Sequence, residues 1–263
     1  MFDFSKSIKL QKQLIFCGLF LFLACTSEYE KAQELSRQRK FNSAIEFYMS
    51  FAKDKPSHDD APKALLLAGE IYQTMLNQQE KAIAIYRMLV NSYPVGEETV
   101  EAQKRIAQIY RNHYTDYAQA LVEYDKLLRA VPSSEEAPLF QFEVARCYTQ
   151  LKQFEQAEIE YKELIEKFPF YAHLDEVYFK KGNNAYIAGW YQKAIDDYQT
   201  LIDNFTESEF LIEAKFGMGN ALEEMDEYEK ALTLYRDILD QYPSRKVVEI
   251  RMEGLAKRRS KRF

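Results

Sequence analysis

Hydrophobic positions between residues 28 and 243 recur with helical spacing, and the pattern itself repeats. One phrase appears six times: FNSAIEFY at 41–48, QEKAIAIY at 79–86, YAQALVEY at 117–124, FEQAEIEY at 154–161, YQKAIDDY at 191–198 and YEKALTLY at 228–235. Its alanines, Ala44, Ala82, Ala120, Ala157, Ala194 and Ala231, lie 38, 38, 37, 37 and 37 residues apart, and the tyrosines that close each phrase keep that spacing. A residue at i, Ala at i+3 and Tyr at i+7 share one face of a helix. The small Ala lets a neighbouring helix approach, and the ring fills the next gap. A large apolar residue follows each tyrosine by three positions, from Phe51 to Ile238. Pro56, Pro94, Pro132, Pro169 and Pro243 then close five of the units; the fifth has Asn204-Phe205-Thr206 in that place. A second helical stretch precedes each phrase, with its own small residue at Ala32, Gly69, Ala107, Ala145, Gly182 and Gly219. From there to the phrase alanine is 12 residues in units 1, 4, 5 and 6 but 13 in units 2 and 3. One extra residue in the turn of units 2 and 3 accounts for the 38-residue spacings. Each unit is predicted to be helix–turn–helix.

These residues resemble the tetratricopeptide repeat (TPR) family. Its first helix carries Gly or Ala followed three later by Tyr or Leu; its second carries an aromatic, Ala, an aromatic and a terminal Pro. The resemblance covers roughly residues 28–243. It implies an all-α fold, a right-handed α-solenoid of six TPR helix-turn-helix units over 25–244 plus a C-terminal capping helix. The period exceeds the family's usual 34 or so and is similar to the extended subtype of bacterial envelope proteins. Stacked repeats contact only their neighbours and need polar-faced caps. Residues 245–263 are read as a capping helix and a basic tail, with Val247, Val248, Ile250, Met252 and Leu255 on the apolar face and the chain from Lys257 onward running into solvent.

The first 24 residues read as an address. Three lysines precede an uncharged run over 14–24, which is too short to cross a bilayer as a helix. A basic start followed by such a run predicts a secretory signal peptide over 1–24. Phe22-Leu23-Ala24-Cys25 resembles the bacterial lipobox, although Phe22 stands where the pattern usually has Leu. The resemblance implies cleavage before Cys25 and lipidation of that cysteine, with a plain signal peptide and a retained anchor as the alternatives. Thr26, rather than Asp, implies sorting to the outer membrane. Cys17 would leave with the signal, so only Cys147 would remain as a thiol, read as a small buried hydrophobe, with a reactive thiol as the alternative.

Composition changes the picture in two ways. Eight glycines and seven prolines in 263 residues are too few for a turn-rich sheet fold. The net charge of −6 also hides a partition. Residues 1–24 carry +2 and residues 245–263 carry +6, so the body over 25–244 carries −6 − 2 − 6 = −14. A body this acidic repels nucleic acid, and no nucleic-acid partner is expected. The basic tail has three readings: a solubilising end, a contact for anionic lipid or peptidoglycan, or a dock for an acidic partner.

Candidate chemistry is sparse. His58, His113 and His173 are far apart, no pair has i, i+4 metal spacing, and no HExxH, GxSxG, phosphate-binding glycine loop or CxxC occurs. No metal, cofactor or enzymatic activity is expected. What remains is a curved surface. In TPR proteins the first helices line the concave face, and the residue after each small residue would point there: Gln33, Glu70, Gln108, Arg146, Asn183 and Asn220. All six are polar. The amides of Asn183 and Asn220, in successive units, would pair with a peptide backbone, or would simply form a solvated groove wall. In carboxylate-clamp TPR proteins an Asn here helps hold a chain-terminal carboxylate. This chain departs from that clamp, because Phe179 stands where it has Lys.

A lipidated cysteine followed by extended TPR units is similar to the BamD-like lipoproteins of outer-membrane β-barrel assembly, and next to the YbgF-like Tol–Pal-associated proteins. It has neither the coiled coil of the second nor the irregular insertion of the first. The resemblance implies a non-catalytic scaffold with protein partners, held in the cell outer membrane by its N-terminal lipid and facing the periplasm. Adaptors of the division or peptidoglycan machinery, and surface lipoproteins that bind external ligands, are the alternatives.

Overall fold

The computed structural model describes residues 27–260, and among these every regular element is a helix. Cys25 and the 1–24 segment lie outside the described residues. Two compact units divide between Ala102 and Gln103. The first holds α1 (Glu28–Arg37), α2 (Phe41–Asp54), α3 (Ala61–Glu70), a π-turn (Ile71–Met75), α4 (Gln79–Ser92) and the start of α5 (Glu97–Asn112). The second holds the rest of α5, then α6 (Tyr117–Ala130), α7 (Ala137–Gln150), α8 (Phe154–Lys167), α9 (Leu174–Ile187), α10 (Tyr191–Asn204), α11 (Leu211–Glu224), α12 (Tyr228–Ile238) and α13 (Arg245–Ser260). The even-numbered helices α2 to α12 each begin on the first residue of a repeated phrase.

The phrase alanines are fully buried and the phrase tyrosines nearly so. In the three repeats whose small residue is glycine, the tyrosine ring lies across it. A Cβ added at Gly69 would sit 2.3 Å from Tyr86 Cε1, at Gly182 2.7 Å from Tyr198 Cε1, and at Gly219 2.6 Å from Tyr235 Cε1. Those distances are below van der Waals contact, so the three glycines are packing requirements. A buried tyrosine removes about 150–250 Å2 from water, and one such ring recurs per repeat.

The turns within repeats are equally regular. Arg39, Asn77, Thr115, Lys152, Gly189 and Asp226 all have positive φ, between 51° and 79°. Each is the left-handed residue that lets a helix end and reverse. In four repeats the N–H closing the turn bonds a carbonyl five residues back, as Gln153 does to Tyr148 and Trp190 to Ala185. In repeats 2 and 3 it reaches six back, from Gln78 to Tyr72 and from Asp116 to Tyr110. The extra residue is therefore taken up by widening the end of the first helix, and in repeat 2 that end is a π-turn. The extra residue thus sits in the helix end and not in the turn where the spacing places it, and single-turn π-bulges are the usual form of such an insertion.

Between repeats the chain leaves the helix through Lys55, Tyr93, Val131 and Phe168, each at φ between −126° and −136° and each before a proline. A residue before proline is pushed to such angles. Phe205 takes the same conformation (φ −130°, ψ 61°) although Thr206 follows it. The repeat geometry thus imposes the exit without the proline.

The chain enters α1 through a reciprocal cap. Ser27 Oγ accepts from Glu30 N–H at 3.2 Å and Glu30 Oε2 accepts from Ser27 N–H at 3.0 Å. At the other end α13 buries Val248 and Leu255 with Met252 beside them, an i, i+4, i+7 face. Val247 and Ile250 are 40% and 55% exposed. They lie off that face, so the apolar face is narrower than the five residues expected. The helix also continues past Lys257, and Arg258 Nη1 returns to within 3.1 Å of the buried Glu223 Oε1.

Candidate functional site

Of the six expected groove residues, the structure gathers three. Arg146 on α7, Asn183 on α9 and Asn220 on α11 line one cavity of ≈490 Å3, together with Phe179, Lys180 and Tyr186 of α9 and Glu213 and Phe216 of α11. All three stand at the same place in successive repeats, so the 37-residue period aligns them. Gln108 is half-buried on α5 and is not part of this cavity. Gln33 and Glu70 belong to the other unit, where both are half-buried on their helices.

The two asparagines are held from below. Tyr198 Oη donates to Asn183 Oδ1 at 2.6 Å, and Tyr235 Oη donates to Asn220 Oδ1 at 2.7 Å. A primary amide has one acceptor oxygen and two N–H donors. With each oxygen occupied, each Nδ2 has no hydrogen-bond partner among the described residues and is left to the groove. Burial pushes both tyrosine hydroxyls well above their ordinary range, helped by the neighbouring Tyr186 at Tyr198 and by Glu223 at Tyr235. They therefore remain protonated donors throughout the physiological range. Gly217 adds to the fit: a Cβ there would lie 2.7 Å from Tyr198 Cζ and 2.9 Å from its hydroxyl.

Repeat 4 differs for a chemical reason. Arg146 has no acceptor, so it cannot take the hydroxyl of Tyr161, which pairs with Thr149 instead. Arg146 Nη1 reaches Glu143 Oε1 at 3.1 Å, and Arg111 binds the other oxygen of that carboxylate. Burial raises Glu143 above the usual carboxylate range, opposed by the two arginines.

Sequence reasoning missed Asn184. It is fully buried, accepts from Thr149 Oγ1 at 2.9 Å and donates to the Phe154 carbonyl at 3.1 Å. It ties α9 to α7 and α8 and so sets the register of Asn183 beside it. The available signal was a lone amide in a column that is otherwise Ile71, Ile109, Cys147 and Ala221, with Glu34 in the first repeat. Cys147 itself is buried, and burial pushes its thiol up to about 12, so it packs as a hydrophobe. No cluster of three metal-ligating side chains occurs among the described residues.

Stacked helix pairs with a groove along their first helices define a repeat scaffold, and the comparisons specify its class. Residues 63–94 and 213–244 match one tetratricopeptide-repeat model, and residues 115–172 match a second. The chain carries tetratricopeptide repeats. In fold it is similar to the C-terminal part of a TPR repeat-containing protein from Cytophaga hutchinsonii, at 16% identity and a TM-score of 0.67, covering 93% of this chain and 92% of that one. It is also similar to PilW, a widely conserved type IV pilus biogenesis factor, at 16% identity and a TM-score of 0.57, covering 85% and 96%. YrrB, described as a TPR protein with an unusual peptide-binding site, matches at 16% identity and a TM-score of 0.58, covering 78% and 97%. At these identities the likeness is one of fold. No curated protein sequence matches the chain.

Proposed function

We propose that this protein is a non-catalytic scaffold of the bacterial envelope that holds an extended segment of a partner protein in the α7–α9–α11 groove. The observation that carries the reading is the pair of amides, Asn183 and Asn220, whose oxygens are taken by Tyr198 and Tyr235 and whose N–H groups are left to the cavity. Two donors one repeat apart suit the carbonyls of an extended chain. The peptide site printed for YrrB supports the same use of this fold. The basic start, the uncharged run over 14–24 and the lipobox-like Phe22-Leu23-Ala24-Cys25 support export, lipidation at Cys25 and a periplasm-facing place in the outer membrane. Within that compartment we favour a role in outer-membrane protein assembly, BamD-like, over a YbgF-like role at division.

Labelled palmitate, followed in the intact cell, tests the anchor: the wild type should incorporate it and Cys25→Ala should not. Label retained by Cys25→Ala overturns the lipoprotein reading. Pulldown of the detergent-extracted protein tests the groove. Barrel-assembly subunits should co-purify, and Asn183→Ala with Asn220→Ala should reduce their recovery about tenfold, given the 0.5–1.5 kcal/mol or so of each hydrogen bond. Recovery of peptidoglycan or division enzymes instead would move the reading to the second pathway, and recovery unchanged by the double substitution would move it off this groove.

A further inference from the structure

We infer that the segment held by this groove carries a carboxylate side chain, seated at Lys180 and Arg146. The inference rests on the reading of the groove as a peptide site and names the chemistry of its ligand. Four lysines of the second unit are half-buried. Three of them have carboxylate partners: Lys104 with Glu136 at 2.7 Å, Lys181 with Asp197 at 2.6 Å, and Lys215 with Asp237 at 2.5 Å. Lys180 is the fourth and has no carboxylate within ion-pair distance among the described residues. Its Nζ lies 5.1 Å from the Phe179 ring and 5.9 Å from the Phe210 ring, and the two rings stack at 5.2 Å. Aromatic faces attract an ammonium and displace part of its water. A partly desolvated cation without an anion is costly, and an incoming carboxylate removes that cost.

The adjoining wall adds to this. Arg111 and Arg146 both bind the carboxylate of Glu143, which also feels the charge of Glu176, and Arg146 brings this cluster to the cavity wall. Lys180 and Asn183 are three residues apart on α9, hence on one face. A carboxylate at Lys180 would therefore lie next to a backbone carbonyl at the Asn183 amide. Glu213, on α11, also lines the cavity, has no ion pair among the described residues and would repel a second acid there.

A phage-displayed library of random 12-residue peptides, panned on the full chain, reads this directly. Selected peptides should share an Asp or Glu at one position. Their affinity should fall about tenfold or more in Lys180→Gln, the loss expected for one charge-assisted hydrogen bond, and should weaken as salt is raised. Lys180→Glu should select Lys or Arg at that position. Circular dichroism and thermal melting identify any variant that does not fold, and the salt dependence of the wild type stands without a variant. Peptides that need Asn183 and Asn220 but show no acidic position, or that bind Lys180→Glu unchanged, overturn the inference and leave the groove reading intact. Peptides indifferent to Asn183 and Asn220, or no selected peptide at all, overturn both.

Discussion

Repeats 2 and 5 use the same packing device for different ends. In each, a glycine admits the ring of the phrase tyrosine, Gly69 for Tyr86 and Gly182 for Tyr198. In each, the hydroxyl donates to a side-chain amide that follows the glycine, by one place in one repeat and by four in the other. In repeat 5 the nearer residue is Asn183, which accepts the hydroxyl and keeps its N–H groups for the groove. In repeat 2 the farther residue, Gln73, accepts it at 2.8 Å. The second helices differ as well. Repeat 2 presents the buried Ile85 where repeat 5 presents Asp197. The buried second-helix position before the tyrosine is thus apolar in one repeat and charged in the other. The lesson is that the repeat fold supplies the position, while side-chain chemistry decides whether it becomes a site.

The largest expected separation between the two repeats lies in their pH dependence. Lys181 sits between Glu158 at 3.0 Å and Asp197 at 2.6 Å, one ammonium for two carboxylates. Glu158 Oε2 and Asp197 Oδ2 are buried without a hydrogen-bond partner. Burial raises Asp197 to about 6, against the pull of Lys181. A carboxyl raised on folding contributes stability that is present in acid and lost as pH rises from its ordinary range near 4 through about 6. Relative to the wild type, Asp197→Asn should therefore gain stability in urea as pH rises from about 4 to about 7, set against the loss of a carboxylate that helps hold the Lys181 ammonium charged. The advantage should vanish below about pH 4. Equal pH profiles for the two proteins would mean that Asp197 is as comfortable as a surface carboxylate, and the contrast with Ile85 would lose its energetic content.

The next effect tests the shared part of the device. Gly69→Ala and Gly182→Ala should each cost about 1–3 kcal/mol from overpacking, less the ~1 kcal/mol that Ala gains over Gly inside a helix. The cost should be larger at Gly69, where the added Cβ lies nearer the ring, at 2.3 Å against 2.7 Å. Chemical denaturation measures both, and a stabilised Gly182→Ala would show that Tyr198 is not pinned.

The smallest effect on stability should have the clearest effect on function. Tyr198→Phe removes one hydroxyl and should cost about 0.5–1.5 kcal/mol. It also unties the Asn183 amide, so a peptide bound in the groove should be released faster. Tyr86→Phe should cost a similar amount and leave peptide binding unchanged. Equal binding losses from the two would erase the distinction between the repeats.

Much of the fold was legible because it repeats. Six copies of one phrase set the helix pairs, and every phrase helix starts where the phrase does. The candidate groove was legible as a column, since the residue after each small residue recurs every 37 or 38 positions. Which members of that column share a cavity was not, because Arg146, Asn183 and Asn220 are brought together by the stacking of α7, α9 and α11. Asn184 was also hidden. Its neighbour Asn183 has the same side chain, and only packing makes one a groove donor and the other a buried tie. The apolar residues of α13 could be counted from the chain, yet only docking separated the buried Val248 and Leu255 from the exposed Val247 and Ile250.

The sequence by itself determined the helical period, the repeat number and the small-residue slots, because these follow from local spacing and the volume of single side chains. Only the tertiary structure decided where each tyrosine hydroxyl ends, which amide it holds and which lysine is left without a carboxylate. Those outcomes depend on distances of a few ångströms between residues about 12 or more apart in the chain, and hydrogen bonds and ion pairs weaken steeply over that range.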